Sequence, residues 1–339
     1  MNKKKGIFNA VFLVVIFLAT IYYVFHGKDI DNLIYYIHLA DSGYWMIAVL
    51  FVMFFILGES VIIYYLMRSV GQSVIFGHCC LYSFIGFFFS CVTPSASGGQ
   101  PMQLVYMKKD GIPISLASYI LLIVTIGYKL VLVLLGATVM LLRPNKLMQF
   151  LKPAWGWFIL GIVLNVVVVG FMLLLLFESK LAEVILKGVA CIGSKLHLIK
   201  NEEKWGIRIR SLVTRYQQVS RYLRMNPKIA FNVIILSIIQ RFFLFAVTAV
   251  VYVSFGLNEK SLLDITLLQG MISVAADMLP MPGGLGISEG LFLVMFEPVF
   301  GKLTLPGMVV SRGISFYTQL LICMIMTVIA HFRIKKKKE

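Results

Sequence analysis

Charge is scarce in this chain: Asp, Glu, Lys and Arg make up 14% of its 339 residues, against 60% hydrophobic ones. No soluble core of that length needs so much apolar surface, and a mean hydropathy of +0.90 agrees, so the bilayer is the natural solvent. Acid is scarcer than base, with 15 Asp and Glu against 31 Lys and Arg. The basic excess does not imply nucleic acid, because it sits at the two ends and in one central stretch that flank apolar runs, and no compact basic domain accompanies it. The five cysteines (Cys79, Cys80, Cys91, Cys191, Cys323) lack the C-x-x-C spacing of zinc or redox sites, and the five histidines are scattered, so no metal is expected. A G-x-x-x-x-G-K-[ST] loop is missing, and no βαβ context surrounds Gly284-Leu285-Gly286; intrinsic ATP hydrolysis and a dinucleotide cofactor are therefore not expected.

What is present is a series of long apolar runs. A spanning helix needs about 20 apolar residues, and six segments meet that, roughly 7–25, 44–67, 114–142, 154–177, 229–255 and 305–332. The first follows Lys3-Lys4-Lys5 as a signal peptide does, but it is too long for an h-region and lacks a small-residue cleavage site, so it reads as a retained helix. Two further stretches are interrupted. Residues 74–107 are apolar to Val92 and break at Thr93-Pro94-Ser95-Ala96-Ser97-Gly98-Gly99-Gln100-Pro101. Residues 262–300 break at Pro280-Met281-Pro282-Gly283-Gly284-Leu285-Gly286. Proline removes a backbone donor and glycine permits positive φ, so each stretch is expected to be a helix, a non-helical tip and a second helix. Such a tip survives at membrane depth only where protein or trapped water satisfies its backbone.

Charge sets the expected topology. Lysines at both ends place both termini in the cytoplasm, as do eleven Lys and Arg against four Glu in residues 178–228. Six spans with both broken segments re-entrant satisfy these constraints; Arg143, Lys146 and Lys152 are discordant. The fold class is then all-α, a polytopic bundle in one membrane domain, 1–339. Its first repeat is 44–142 and its second, inverted repeat is 229–332. Glu59 and Lys129 each lie 35 residues from Pro94, while Arg241 lies 39 before Pro280 and Arg312 lies 32 after it. Inverted repeats of this kind place a transport site between them near the midplane; two unrelated loops with similar spacing is the competing reading. Apolar residues from Leu181 to Leu223 recur at three-and-four spacing among Lys and Arg, which suits helices lying on an anionic leaflet or packed on the protein's own face.

Two sets of residues carry the chemistry. Ser97 and Gln100 resemble a capping box with Pro101 near the first helical position, and Gly286 with Glu289 stands in the comparable place. Two half-helices beginning at mid-depth would offer N–H groups and partial positive charge to an anion, with Gly98, Gly99, Gly283 and Gly284 admitting its close approach; glycines serving only close helix packing are the alternative. The second set is Glu59, Lys129, Arg241, Asp277, Glu289 and Arg312. Each costs about 2.5 to 3.5 kcal/mol at a helix centre, so they must pair or line a wet cavity. The cations could hold a phosphate and the carboxylates an amine or protons; internal salt bridging alone is the other reading.

The pairing of Thr93-Pro94-Ser95-Ala96-Ser97-Gly98-Gly99-Gln100-Pro101 with Leu279-Pro280-Met281-Pro282-Gly283-Gly284-Leu285-Gly286-Ile287-Ser288-Glu289-Gly290 resembles the membrane region of lysylphosphatidylglycerol synthase/flippase proteins. The resemblance covers essentially the whole chain. It implies a flippase-like domain of the bacterial inner membrane that moves an anionic or lysyl-phosphatidylglycerol-like lipid. Phosphatidylglycerol lysyltransfer and polyprenyl-phosphate transport stay open as alternatives. Full-length members add a soluble aminoacyltransferase domain and confer resistance to cationic antimicrobial peptides; here only Arg333 to Glu339 follow Phe332, so that domain is expected to be missing. Expected partners are membrane phospholipids and no nucleic acid, with homo-oligomerisation left open. The two tips and the intramembrane charges are then the candidate transport residues.

Overall fold

In a computed structural model, residues 30–142, 145–177, 221, 225–279, 281 and 283–334 are described. The expected first span, the amphipathic segment from Leu181 to Leu223 apart from Arg221, Pro280 and Pro282 lie outside the described residues. Among the described residues all regular structure is helical.

Five stretches are long and apolar enough to cross a membrane, Ser42–Ser69, Ile114–Leu142, Leu147–Leu176, Pro227–Ser254 and Glu297–Arg333. The 28 residues of the first, at about 1.5 Å each, give about 42 Å, beyond the roughly 30 Å hydrocarbon core. In chain order the helices are α1 (Ile30–Leu39), α2 (Ser42–Ser69), α3 (Phe76–Cys91), α4 (Gly99–Lys109), α5 (Ile114–Leu142), α6 (Asn145–Leu151) and α7 (Trp155–Phe177). After the central segment come α8 (Pro227–Ser254), α9 (Leu262–Ala276), α10 (Ile287–Met295), α11 (Glu297–Phe300), α12 (Thr304–Arg312) and α13 (Gln319–Arg333). A π-helical turn, Gly313–Thr318, joins the last two. The Pro and Gly breaks fall where expected, leaving α3 at 16 residues and α9 at 15, about 24 and 22 Å, short of a full crossing.

α3 and α4 form a helical hairpin, and three levels of side-chain contact fix it. At its feet the Tyr82 hydroxyl donates to Asp110 Oδ2. One turn along, a Cβ on Gly86 would strike the Gln103 amide, and near the tip one on Gly99 would strike Ser90 Oγ and the Gly86 carbonyl. The second interrupted segment is anchored at both feet by one residue of α8: the Tyr252 hydroxyl accepts the Lys260 N–H at 3.1 Å, and its ring meets Phe300 edge-on at 5.3 Å.

The two pairs of feet stand at opposite ends of the bundle. The first pair adjoins the end of α2, the start of α5 and, through Tyr106 Oη and His331 Nδ1 at 3.3 Å, the end of α13. The second adjoins the end of α8, where the Ser254 carbonyl accepts the Asp41 N–H at 2.8 Å from the start of α2. Helix association in lipid depends on close van der Waals fit, and small residues supply it here. Gly58 of α2 lies under Gln240 of α8, and Gly161 of α7 lies against the Val274 carbonyl of α9. Leu50, Phe54, Val167, Leu174, Ile239 and Val328 face outward, as a lipid-facing surface requires.

Candidate functional site

The two tips meet. Ser95 Oγ of the first donates to the Leu279 carbonyl of the second at 3.3 Å, across 184 residues of sequence. Each tip contains a left-handed run, built from different residues. In the first, Ser95 and Ala96 have φ of 50° and 53°, a conformation that costs L-residues about 1 to 2 kcal/mol each. The Ala96 and Ser97 N–H groups bond the Thr93 and Pro94 carbonyls at 3.2 and 3.1 Å and hold the turn. In the second, Gly283, Gly284 and Gly286 take φ of 58°, 68° and 83°, where no Cβ opposes them. The two Gly-Gly pairs therefore do different work. Gly98 and Gly99 are helical in conformation and admit Thr93 and Ser90, whereas Gly283 and Gly284 supply the turn itself.

Capping differs from the sequence expectation at the first tip. Gly98, not Ser97, is the N-cap of α4, and its N–H is taken by Thr93 Oγ1 at 2.8 Å. Gln100 is free to reach across instead, and its amide donates to Thr125 Oγ1 of α5. At the second tip the expected pairing forms: Glu289 Oε2 accepts the Gly286 N–H at 2.7 Å.

Below the tip contact lies a cavity of about 210 Å³ walled by α2, both interrupted segments, α5, α8 and the last span. Of the residues singled out from sequence, Glu59, Gln100, Arg241, Asp277 and Gly283 border it. Glu59 Oε1 accepts from the Gln103 amide at 2.6 Å. Asp277 is ion-paired with Lys129 of α5, which also reaches Met278 Sδ at 3.6 Å and is 3% exposed. This pair ties the second tip to the first half of the chain and leaves Lys129 behind the cavity wall.

Arg241 stands apart. Its guanidinium packs over the rings of Tyr128 at 4.5 Å and Phe55 at 5.3 Å. It makes no ion pair among the described residues, and its buried Nε has no hydrogen-bond partner. A buried donor without a partner costs about 1 to 3 kcal/mol, more on a charged group, and the charge that acts on Arg241 across the cavity is that of Glu59.

Glu289 and Arg312 meet each other at the second tip and do not border the cavity. Arg312 Nε donates to Glu289 Oε1 at 2.7 Å and Nη2 to the Gly283 carbonyl at 3.0 Å, with the guanidinium over the Phe316 ring at 4.8 Å. The same Phe316 ring occupies the space a Cβ on Gly283 would take. Pro94, Ser97, Gly98, Gly99 and Gly284 shape the tips without bordering the cavity. Sequence reasoning missed Gln103, Thr125, Tyr128 and Gln319, which do border it. Gln103 sits three residues after Gln100 on one helix face, a signal available in the sequence; the others lie in apolar runs with no such mark. Gln240, next to Arg241 in sequence, is a helix contact whose amide donates to the Phe55 carbonyl at 3.0 Å.

Comparison with known proteins gives one family. The profile of the lysylphosphatidylglycerol synthase TM region matches residues 9–323. No curated protein matches the chain.

Proposed function

We propose, for a chain that belongs to the lysylphosphatidylglycerol synthase TM-region family and is thereby a lipid-handling, multi-pass inner-membrane protein, that it translocates a phosphate-bearing phospholipid headgroup through the cavity between its two tips. The observation that carries this reading is the cavity-facing Arg241, a cation with a buried, unpartnered donor, which shares with Glu59 a cavity that both tips border. Arg241 takes the lipid phosphate. Glu59 and the paired Asp277 are the carboxylates available to an aminoacyl amine or to protons. The acyl chains stay in lipid while the headgroup crosses.

In this reading the two interrupted segments are re-entrant hairpins of an inverted repeat, 44–142 and 229–332. Support comes from their feet lying at opposite ends of the bundle. The end at which α2 and α13 finish is cytoplasmic, because the basic stretch 178–228 and the C-terminal lysines follow helices that finish there. A site framed by oppositely entering hairpins near mid-depth is the arrangement alternating-access transporters use. Lys129 and Arg312 serve as supports: they hold Asp277 and Glu289, and through them the tips.

The test is reconstitution of the full chain in liposomes carrying trace head-labelled fluorescent phosphatidylglycerol, lysyl-phosphatidylglycerol, phosphatidylcholine or polyprenyl phosphate, with dithionite added outside. Quenching beyond the outer-leaflet fraction for at least one phosphate-bearing lipid is expected. Rates equal to protein-free liposomes across the panel end the proposal. The family description names a synthase, and a transferase would instead leave a new aminoacyl lipid on thin-layer chromatography after expression.

A further inference from the structure

A second cavity, of about 450 Å³, opens at the feet of the first hairpin and is separate from the one between the tips. Asp110, the C-cap of α4, forms its floor. Its Oδ2 accepts both the Tyr82 hydroxyl and, at 2.7 Å, His78 Nδ1. Asp110 is the only acid among the lining residues, and two donors already occupy it. A carboxylate only accepts, so Nδ1 carries the hydrogen and Nε2 is left on the open side of a ring that is 38% exposed.

Two cations complete the lining, Lys109 from the last turn of α4 and Arg333 from the end of α13. Neither has an ion pair among the described residues, and Lys109 rests its ammonium 4.3 Å above the Tyr106 ring. The pocket is thus electropositive. Its rim is apolar: Ile75 of the lining stands exposed, as do Phe76 and Phe332, which adjoin the lining residues Ile75 and Arg333 in sequence. Cations ringed by exposed apolar side chains at the end of a spanning bundle suit a headgroup whose tails remain in the bilayer, and suit a freely soluble anion poorly.

We propose that this pocket is a binding site for the phosphate-bearing headgroup of an anionic phospholipid in the adjoining leaflet, held by Lys109 and Arg333 against the His78–Asp110–Tyr82 floor. Tyr82 is one helical turn, about 6 Å, from Gly86, which borders the cavity between the tips. A headgroup seated here therefore stands directly beneath that cavity on the same helix. Binding at this site does not require that the central cavity transports anything, so the two proposals fail independently.

The experiment uses the full chain in phosphatidylcholine nanodiscs containing a few per cent phosphatidylglycerol with a photoactivatable group on its glycerol headgroup, with labelled peptides mapped by mass spectrometry. Labelling is expected within residues 72–82 and 109–112. It should fall about five-fold in Lys109→Gln or Arg333→Gln and about 30-fold in the double variant, taking each basic residue near the surface at its usual strength. Arg333→Lys should restore most of the signal, and labelling around Arg241 should not change. A parallel arm measures radioactive inorganic phosphate on the chain in lipid-neutral nanodiscs. No labelling of these peptides, labelling indifferent to the double variant in protein that elutes as wild type does, or retention of free phosphate without lipid labelling overturns the proposal.

Discussion

Arg241→Gln separates transport from folding more cleanly than any other substitution in the cavity. Its side chain gives the fold two ring contacts, to Tyr128 and Phe55, and no ion pair or Nε hydrogen bond among the described residues. Cation–π contacts in desolvated places contribute about 2 kcal/mol or less, so thermal unfolding in detergent should shift only slightly. Glutamine keeps part of the volume and a donor, which limits any cavity term. The loss to a phosphate is larger. A charge-assisted hydrogen bond is worth about 1.5 to 3 kcal/mol, and glutamine keeps at most one of the two that a guanidinium makes with a phosphate, so headgroup binding should weaken by about one to two orders of magnitude. In the dithionite assay the initial rate at low labelled-lipid content should fall correspondingly, while Arg241→Lys, a point charge without the planar fork, should retain part of it. If Arg241→Gln flips lipid at the wild-type rate while wild type is active, the unpartnered guanidinium is not the headgroup contact and the reasoning from it is wrong.

The Lys129–Asp277 pair should behave in the opposite way. Lys129→Met alone strands the Asp277 carboxylate at the second tip and should cost about 3 to 5 kcal/mol in a reversible unfolding assay, whereas Lys129→Met with Asp277→Leu should recover most of that loss. An additive double variant would mean the pair is not coupled as its geometry implies. Glycine positions give a third contrast. Gly99→Ala places a Cβ 2.7 Å from the Gly86 carbonyl and should destabilise by about 1 to 3 kcal/mol, while Gly290→Ala, with nothing within 4 Å, should be neutral. Equal melting temperatures for the two variants would refute the hairpin packing.

The division between what was legible and what was not follows the physics of each signal. Hydrophobic run length reports on the solvent a helix must face, so three of the five spans were legible to within two residues, whereas Leu147–Leu176 and Glu297–Arg333 begin seven and eight residues before the expected starts, where charge and proline interrupt the apolar run. Proline and glycine act locally on backbone geometry, which is why the two interruptions fell where they were expected. An ionisable residue in an apolar run signals a need for a partner and leaves the partner unnamed. Nothing local distinguishes Lys129, which is spent on Asp277, or Arg312, spent on Glu289, from Arg241, which has no ion-pair partner among the described residues.

Repeated motifs misled in a similar way. Gly98-Gly99 and Gly283-Gly284 look alike in sequence, yet one pair serves close packing and the other a left-handed turn, because what each glycine must avoid is set by a neighbour distant in the chain. Ser97 lost the N-cap position to Gly98 because the turn at Ser95 and Ala96 starts α4 one residue later and brings Thr93 Oγ1 to the Gly98 N–H, a geometry the Ser-x-x-Gln spacing does not encode. By itself the sequence determined the solvent, the spans and the breaks, all properties of short windows. The tertiary structure decided which charges are paired, that the tips touch through Ser95 and Leu279, and that Arg241 alone of the three intramembrane cations singled out borders the cavity, since each depends on side chains that only packing brings together.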